Sequence, residues 1–217
     1  MNNSLVRVLA GGSFVNLNVM QKKSKTFVKG VLRTYGRRKN DKEERASVAD
    51  IGTADTGRPH WKETAWEDVA VGDFVKIMDN ESIPADILIC STSEEENVAF
   101  VETKNLDGET NLKSRNAVTA LTTLRTADDC ASSDTSFRIE AERPDTNMYK
   151  VNAAARVGDQ AFPVDIQMVL LRGTVLRNTK WVIGLVLYTG EDTKIIMNSG
   201  GTPSKRSRVE RQMNPQV

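Results

Sequence analysis

The sequence predicts a mainly β fold, a β-sandwich or distorted jelly roll with a few short helices and a disordered basic N-terminal arm. From Trp66 onward, short runs rich in Val, Ile, Leu and Phe recur, and residues that favour turns separate them. Many short strands of this kind are typical of an all-β sandwich. The first 58 residues show weak periodicity and carry charged clusters and glycines instead.

Eight runs are predicted to be strands. One run begins at Asp86, because the preceding proline favours a strand entry. The last run contains Gly184 and is much too short to cross a membrane, so it is predicted to be a core strand. In chain order the strands are expected near residues 73–78, 86–92, 97–103, 136–142, 148–153, 168–171, 174–178 and 181–189.

Helices are predicted to be a minority. Residues 110–124 have a pattern compatible with a helix, and short helices are expected at 193–197 and 209–213. Residues 126–137 contain clusters of Asp and Ser, which favour an exposed loop or insertion.

The charge is unevenly distributed along the chain. Across 217 residues, 30 basic side chains nearly balance 29 acidic ones, yet residues 1–47 carry 11 Lys and Arg against 3 Asp and Glu. We therefore predict an irregular basic linker or insertion over 1–58 and a domain over 59–217, with a core at about 66–195 and a C-terminal segment at 196–217. A short basic helix that touches anionic lipid is the alternative within the linker, and a solvated segment is favoured over it. The helical face would comprise Val28, Val31, Leu32 and Tyr35.

Several classes of protein are disfavoured. Cys90 and Cys130 are too few for a disulfide framework, and Cys90 lies in an apolar run, so a buried free thiol in a reducing compartment is expected. No apolar stretch reaches the roughly 18 to 20 residues that a membrane helix needs, and Arg7 interrupts the only early apolar run, so no secretory signal is expected. His60 is the only histidine, which gives no support to a metal site or a Ser-His-Asp triad in this chain.

The most informative stretch runs from Val98 to Lys113, where an apolar run stops in a carboxylate-rich turn. Residues 99–101 predict a buried strand, and residues 105–108 cannot continue it, since Asn and Asp favour turns and Gly takes a positive φ without strain. Glu109 is therefore expected at an exposed loop tip. Taken alone, Asp-Gly-Glu-Thr is more typical of a hairpin turn with solvated carboxylates.

The segments around this turn form an ordered set that spans about 61–214. In order they are Asp73–Ile77, Ile83–Ile89, Glu102–Lys113, Leu171–Thr179, Tyr188–Lys194 and Lys205–Glu210. In that order and spacing they resemble the actuator domain of the type IV P-type ATPases, the ATP-driven phospholipid flippases, and the segment Trp61–Trp66 is similar to fungal members. The resemblance implies an actuator fold and a place in the cytosolic segment between the second and third membrane helices of a pump, with residues 196–217 leading toward a membrane helix.

The resemblance also implies a reaction. In this family a glutamate in the loop orients or deprotonates the water that hydrolyses an aspartyl phosphate, and Glu109 matches it. Gly108, without a Cβ, would let the backbone approach a crowded phosphoryl group, and Thr110 would donate a hydroxyl hydrogen bond to the phosphate or its water. Asp107 is expected chiefly to hold the turn, with direct chemistry as the alternative.

Four further residues are candidates for contacts with other domains of a pump. Arg172 and Arg177 flank an apolar run and would pair with acids on a neighbouring domain, or lie along a strand edge. Asp192 and Lys194 would contact the phosphorylation domain, although a helix cap by Asp192 or Thr193 explains the same pattern equally well.

The partners and cofactors are also implied by the resemblance. ATP and Mg²⁺ are implied for the complete pump, but no cofactor is expected to bind this chain, which lacks a glycine-rich phosphate loop and the phosphorylation motif Asp-Lys-Thr-Gly-Thr. The implied partners are the phosphorylation and nucleotide-binding domains, the membrane helices, an accessory non-catalytic subunit and a transported phospholipid, and no nucleic acid is expected. The implied location is the cytosolic face of a plasma, Golgi or endosomal membrane. The alternatives are a stand-alone β-sandwich binding or regulatory module and, less favoured, an independent aspartyl-phosphate phosphatase.

Overall fold

Three antiparallel sheets make up the fold. The computed structural model of the chain describes residues 4–12, 15–16, 31–35, 57–132 and 136–199. The strands are β1 (Leu5–Ala10), β2 (Val15–Asn16), β3 (Val31–Tyr35), β4 (His60–Ala65), β5 (Phe74–Met78), β6 (Asp86–Thr92), β7 (Val98–Glu102), β8 (Leu112–Asn116), β9 (Phe137–Ala141), β10 (Ala153–Val157), β11 (Gln160–Val164), β12 (Val169–Leu170), β13 (Val175–Arg177) and β14 (Trp181–Tyr188). The short α-helices are α1 (Lys104–Asp107), α2 (Ala127–Ala131) and α3 (Lys194–Asn198), and single 3₁₀ turns lie at Trp66–Asp68, Thr119–Leu121, Ile166–Met168 and Gly190–Asp192.

The largest sheet is the middle layer of the domain. Its order is β12-β6-β14-β5-β1-β4, and the other two sheets have the orders β11-β10-β9-β3-β2 and β13-β7-β8. Successive side chains of a strand point to opposite faces. Ile87 and Ile89 of β6 accordingly pack in one cluster with Leu176 of the three-stranded sheet, whereas Leu88 packs in a second cluster with Ile139 of the five-stranded sheet. Both faces of the middle sheet are therefore covered, and β6 is buried along its whole length.

The prediction of a mainly β fold is confirmed, and so are seven of the eight predicted strands. These are β5, β6, β7, β9, β12, β13 and β14, whose bounds lie within one residue of the predicted ones. Cys90 is buried as a free thiol, as expected, and burial raises its pKa well above the usual range. The predicted helix at 193–197 is also confirmed, as α3.

Three predictions of local structure are wrong. Residues 110–124 do not form a helix, because 112–116 pair with β7 as β8 and only a 3₁₀ turn follows. Residues 148–152 form a turn and irregular backbone in place of the strand expected at 148–153, and β10 begins only at Ala153. The polar Arg156 and Gln160 make the β10–β11 hairpin hard to recognise from the sequence. The loop expected at 126–137 contains α2, since Thr126 accepts a hydrogen bond from the backbone N–H of Asp129 in a capping box. The helix predicted at 209–213 lies outside the described residues.

The linker predicted over 1–58 also contains three strands. β1 pairs with both β4 and β5 and buries Val6 and Leu9, while β3 pairs with β9. Arg7, which interrupts the apolar run of β1, contacts Glu81 at 2.6 Å, so its charge does not oppose strand formation. These pairings are formed with distant segments, which is why local composition did not reveal them. Residues 31–35 are therefore a strand rather than part of a basic helix, and the division at residue 58 stays a prediction.

Candidate functional site

The Asp-Gly-Glu-Thr sequence lies in the loop that joins β7 to β8. These strands form a hairpin in which Glu102 is opposite Leu112, and β13 pairs with the other edge of β7. Residues 103–111 connect the two strands and include the single helical turn α1. The loop is thus held at its base by a three-stranded sheet whose inner face packs on the middle layer.

The turn of α1 ends at a glycine. The backbone N–H groups of Leu106 and Asp107 donate to the carbonyl oxygen of Thr103 at 2.8 and 3.1 Å. The N–H of Gly108 donates to the carbonyl oxygen of Lys104 at 3.1 Å. Gly108 has a φ of +76°, a left-handed conformation that glycine adopts at little cost. A Cβ at this position would have no atom within 4 Å. The glycine therefore serves the turn, and the space beside it is open.

Asp107 is the best-connected side chain of the loop. Its Oδ1 accepts hydrogen bonds from the hydroxyl of Thr103 at 2.9 Å and from the backbone N–H of Glu109 at 3.0 Å, the second of which is an Asx turn. Its Oδ2 lies 2.6 Å from Nζ of Lys113. The hydrogen bond from Lys113, followed by that from the Glu109 backbone, lowers the pKa of Asp107 to about 2. Asp107 is therefore an ionised anchor of the turn at neutral pH.

Glu109 projects its carboxylate into solvent. Its side chain is 57% exposed, and its Oε2 lies 3.0 Å from the ammonium of Lys113. Thr110 is exposed beside it. The arrangement can present a carboxylate and a hydroxyl to a group that approaches the loop from outside the domain.

Lys113 was not among the residues singled out from the sequence. Its ammonium contacts Asp107 and Glu109, and these hydrogen bonds raise its pKa above the usual value. Its place follows from the pairing of β8 with β7, which the helix predicted over 110–124 does not include.

The turn at Arg172 and Gly173, just before β13, contacts the loop. The Asp86 carboxylate is fully buried, and it accepts hydrogen bonds from the backbone N–H of Arg172 at 2.9 Å and of Lys194 at 2.8 Å. Burial is the main cause that raises the pKa of Asp86. Nδ2 of Asn105 in α1 donates to the carbonyl oxygen of Gly173 at 3.2 Å. Asp86, at the start of β6, thus fixes the turn at Arg172 and Gly173, and α1 is hydrogen-bonded to that turn through Asn105.

The four residues predicted to contact other domains differ in their surroundings. Arg172 donates from Nη1 to the carbonyl oxygen of Gly190 at 3.1 Å, and Asp192 is exposed. The guanidinium of Arg177 lies 2.9 Å from Oε2 of Glu102, so it forms an ion pair across two paired strands. Arg172 is half-buried and Asp192 is exposed, so both lie near the surface.

Lys194 has a different place from the one predicted. Its side chain is 4% exposed, and its ammonium donates to Asp145 and to the carbonyl oxygen of Asn147, each at 2.7 Å. The hydrogen bond from Lys194 is the main cause that lowers the pKa of Asp145. Lys194 therefore joins α3 to the turn after β9 within the domain.

Metal ligands do not cluster in the described part of the chain. Over residues 4–12, 15–16, 31–35, 57–132 and 136–199, no three His, Cys, Asp or Glu side chains lie together in a way that could hold a metal ion. No helix within the same ranges is both long and apolar enough to cross a membrane.

Comparison with known proteins identifies a family for most of the chain. The family model of the P-type ATPase actuator domain matches residues 44–197. The chain is 48% identical over 179 residues to the phospholipid-transporting ATPase dnf2 of Schizosaccharomyces pombe, which covers 77% of this chain and 13% of that protein. It is 48% identical over 155 residues to the phospholipid-transporting ATPase DNF1 of Saccharomyces cerevisiae, which covers 69% of this chain and 10% of that protein. It is 39% identical over 193 residues to phospholipid-transporting ATPase 10 of Arabidopsis thaliana, with 88% of this chain and 16% of that protein covered. The chain thus spans less than a fifth of the length of these relatives.

Proposed function

The chain belongs to the P-type ATPase actuator domain family, and from this premise we propose that it is the cytosolic actuator segment of an ATP-driven phospholipid flippase. Its loop over Asp107–Thr110 promotes hydrolysis of an aspartyl phosphate that another domain of the pump carries. The observation that carries this proposal is an exposed carboxylate, that of Glu109, on a turn whose backbone is fixed from within the domain.

The proposed reaction consumes one water molecule. The water oxygen attacks the phosphorus atom of the aspartyl phosphate, and the bond between phosphorus and the aspartate oxygen breaks, with its electron pair returning to the aspartate carboxylate. Glu109 accepts the proton that the water loses. The products are a free aspartate and inorganic phosphate, and the pump is ready for another cycle once Glu109 has released the proton to solvent.

The other loop residues support this step in distinct ways. Gly108 has open space beside its Cα, which allows a phosphoryl group to approach the backbone. Thr110 donates its hydroxyl to a phosphoryl oxygen or to the water. Asp107 keeps the turn in place through its bonds to Thr103 and to the Glu109 backbone.

A loop of this kind gives the pump its timing. If Glu109 were near the aspartyl phosphate while ATP donated its phosphate, the intermediate would be hydrolysed before transport. The actuator segment therefore moves as a body and docks on the phosphorylation domain only after phosphoryl transfer. We assign Arg172 and Asp192, which lie near the surface, to that docking face.

The remaining parts of the proposal concern the complete pump. ATP is the phosphoryl donor and Mg²⁺ acts with it on the phosphorylation and nucleotide-binding domains, with no step of either assigned to this chain. The membrane helices and an accessory non-catalytic subunit complete the assembly, and a phospholipid is the transported substrate. The segment lies on the cytosolic face of the plasma, Golgi or endosomal membrane.

The test is the Glu109→Gln variant of the full-length protein. Gln keeps the size of the side chain but cannot accept the proton, so dephosphorylation is expected to slow by roughly 10²- to 10⁴-fold while phosphorylation from ATP persists. Acid quenching after incubation with γ-labelled ATP measures the acyl phosphate, which is expected to accumulate. The matched control is Glu63→Gln, an exposed glutamate on the distant edge strand β4, which is expected to leave the rate unchanged.

The same change separates chemistry from folding. Because Glu109 is exposed and forms a surface ion pair, Glu109→Gln is expected to change the free energy of unfolding of the 217-residue chain by no more than about 0.5 kcal/mol. Phosphoenzyme turnover at the native rate in this variant would mean that Glu109 is only a solvated turn residue and would refute the proposal.

A further inference from the structure

Lys113 lies outside the Asp-Gly-Glu-Thr sequence, yet its ammonium contacts both carboxylates of the turn. It is the second residue of β8 and is opposite the buried Val101 of β7. On β8 the half-buried residues alternate with exposed ones, and Lys113 is on the half-buried face. Its Nζ lies 2.6 Å from Oδ2 of Asp107 and 3.0 Å from Oε2 of Glu109. The hairpin therefore brings one cation to the two acids of the loop.

The two ion pairs of Lys113 are unequal. The Asp107 carboxylate also accepts hydrogen bonds from the buried Thr103 hydroxyl and from the backbone N–H of Glu109, so its position is fixed independently of Lys113. The Glu109 side chain is 57% exposed, and its carboxylate contacts the domain through Lys113. A chain of contacts thus runs from Thr103 through Asp107 and Lys113 to Glu109.

The weaker attachment of the Glu109 carboxylate suits a group that must leave Lys113 for another partner. Exposed ion pairs are weak and exchange readily with water. Glu109 can therefore leave Lys113 when a phosphoryl group and its water approach, whereas Asp107 retains the ammonium through a shorter contact. Lys113 then stays beside the loop throughout.

We propose that Lys113 is a positioning residue for Glu109, whose carboxylate it orients from its anchor on Asp107 before the loop meets the aspartyl phosphate. This inference rests on the proposed role of Glu109 in hydrolysis. Lys113 itself takes no proton and forms no bond to phosphorus in this scheme. Its effect on the rate passes through the geometry of Glu109, since misplacing a reacting group by about 1 Å slows catalysis by up to about 10²-fold.

The experiment compares four variants of the full-length protein by the rate of phosphoenzyme decay after an ATP chase. Lys113→Met removes the charge but keeps an unbranched side chain, and we expect decay to slow by about 10- to 100-fold. Lys113→Arg keeps a cation and is expected to recover most of the rate. Adding Lys113→Met to Glu109→Gln is expected to slow decay no further than Glu109→Gln alone, because Lys113 acts through Glu109.

The matched control is Arg156→Met, which breaks an exposed ion pair of similar length, 2.9 Å from Nε to Oε2 of Glu140, on a sheet that does not carry the loop. It is expected to leave decay unchanged. Folding is checked by phosphorylation from ATP and by the melting temperature of the 217-residue chain, both of which are expected to persist in Lys113→Met.

Three outcomes would overturn the inference. Decay of Lys113→Met at the native rate, with Glu109→Gln arrested, would remove the role of Lys113 and leave the proposed function intact. A double variant slower than Glu109→Gln would mean that Lys113 acts on the phosphate directly. An equal loss in Arg156→Met would mean that any surface ion pair has this effect. Native decay in Glu109→Gln is a separate result, which refutes the proposed function and this inference with it.

Discussion

Gly184 lies at a close approach of β14 to β6, and replacing it with alanine is expected to destabilise the domain strongly. A Cβ built on Gly184 would lie 2.3 Å from Cγ2 of Ile87 and 2.6 Å from the carbonyl oxygen of Leu88. The pairing of β14 with β6 shifts its register between Ile183 and Gly184, a site at which glycine commonly marks a close approach of two strands. The φ of Gly184 is not in the left-handed region, so the cost is steric.

The size of the change in unfolding free energy depends on whether the neighbours of the new Cβ can move. Overpacking a core by one methyl group costs typically about 1–3 kcal/mol. Ile87 is fully buried, and the Leu88 oxygen belongs to the backbone of the central strand, so neither neighbour gives way easily. We therefore expect Gly184→Ala to lower the free energy of unfolding by about 3 kcal/mol.

Urea unfolding of the 217-residue chain, followed by far-ultraviolet circular dichroism, measures this change. The control is Gly158→Ala, which has a φ of +58° and no atom within 4 Å of the new Cβ, so it is expected to cost only about 1 kcal/mol of backbone strain. Adding Ile87→Leu, which removes Cγ2, is expected to recover part of the loss caused by Gly184→Ala and not all of it, because the Leu88 oxygen remains. An unfolding free energy within about 0.5 kcal/mol of the native value in Gly184→Ala would refute the close approach.

Two further substitutions test the buried and the exposed aspartates. Asp86→Ala leaves the backbone N–H groups of Arg172 and Lys194 without their acceptor and is expected to cost about 2–4 kcal/mol in urea unfolding, at the lower end because burial of the carboxylate is itself unfavourable; no change in midpoint would contradict it. Asp107 has a pKa of about 2 in the folded chain against 3.8 ordinarily, so its ionisation contributes stability that is fully present above about pH 4 and is lost as the pH falls toward 2. Asp107→Asn is therefore expected to lose less stability between pH 4 and pH 2 than the native chain does, and parallel losses over that range would show that the carboxylate is unpaired.

The strands predicted correctly are those whose own sequences carry enough apolar side chains to mark one or both faces of the strand as buried. β14 is a continuous apolar run and β6 contains one over residues 87–90, and such runs are recognisable without knowledge of their partners. β8 has the sequence Leu-Lys-Ser-Arg-Asn and β4 has His-Trp-Lys-Glu-Thr-Ala, in which little marks a strand. These elements are strands because a neighbour supplies the pairing, and that information lies far away in the chain.

The candidate site was predictable to a similar extent. The turn at Gly108 and the exposed position of Glu109 follow from local residue preferences, which is why the sequence indicated both. The place of Lys113 depends on the hairpin register, and the burial of Lys194 depends on Asp145, which lies 49 residues earlier. Contacts between side chains that are distant in sequence are set by the fold as a whole, and a single sequence carries no direct record of them.

The attachment of α3 has a mechanical consequence. The first residue of this helix donates its backbone N–H to Asp86 at the entry of the central strand β6, and near its other end Nδ2 of Asn198 donates to the carbonyl oxygen of Thr146 at 2.5 Å. A pull on the chain beyond residue 199 must therefore strain a buried carboxylate and a side-chain bond before α3 can unwind. Both ends of α3 are thus tied to the domain, so the helix cannot separate from β6 without loss of the acceptor that Asp86 provides.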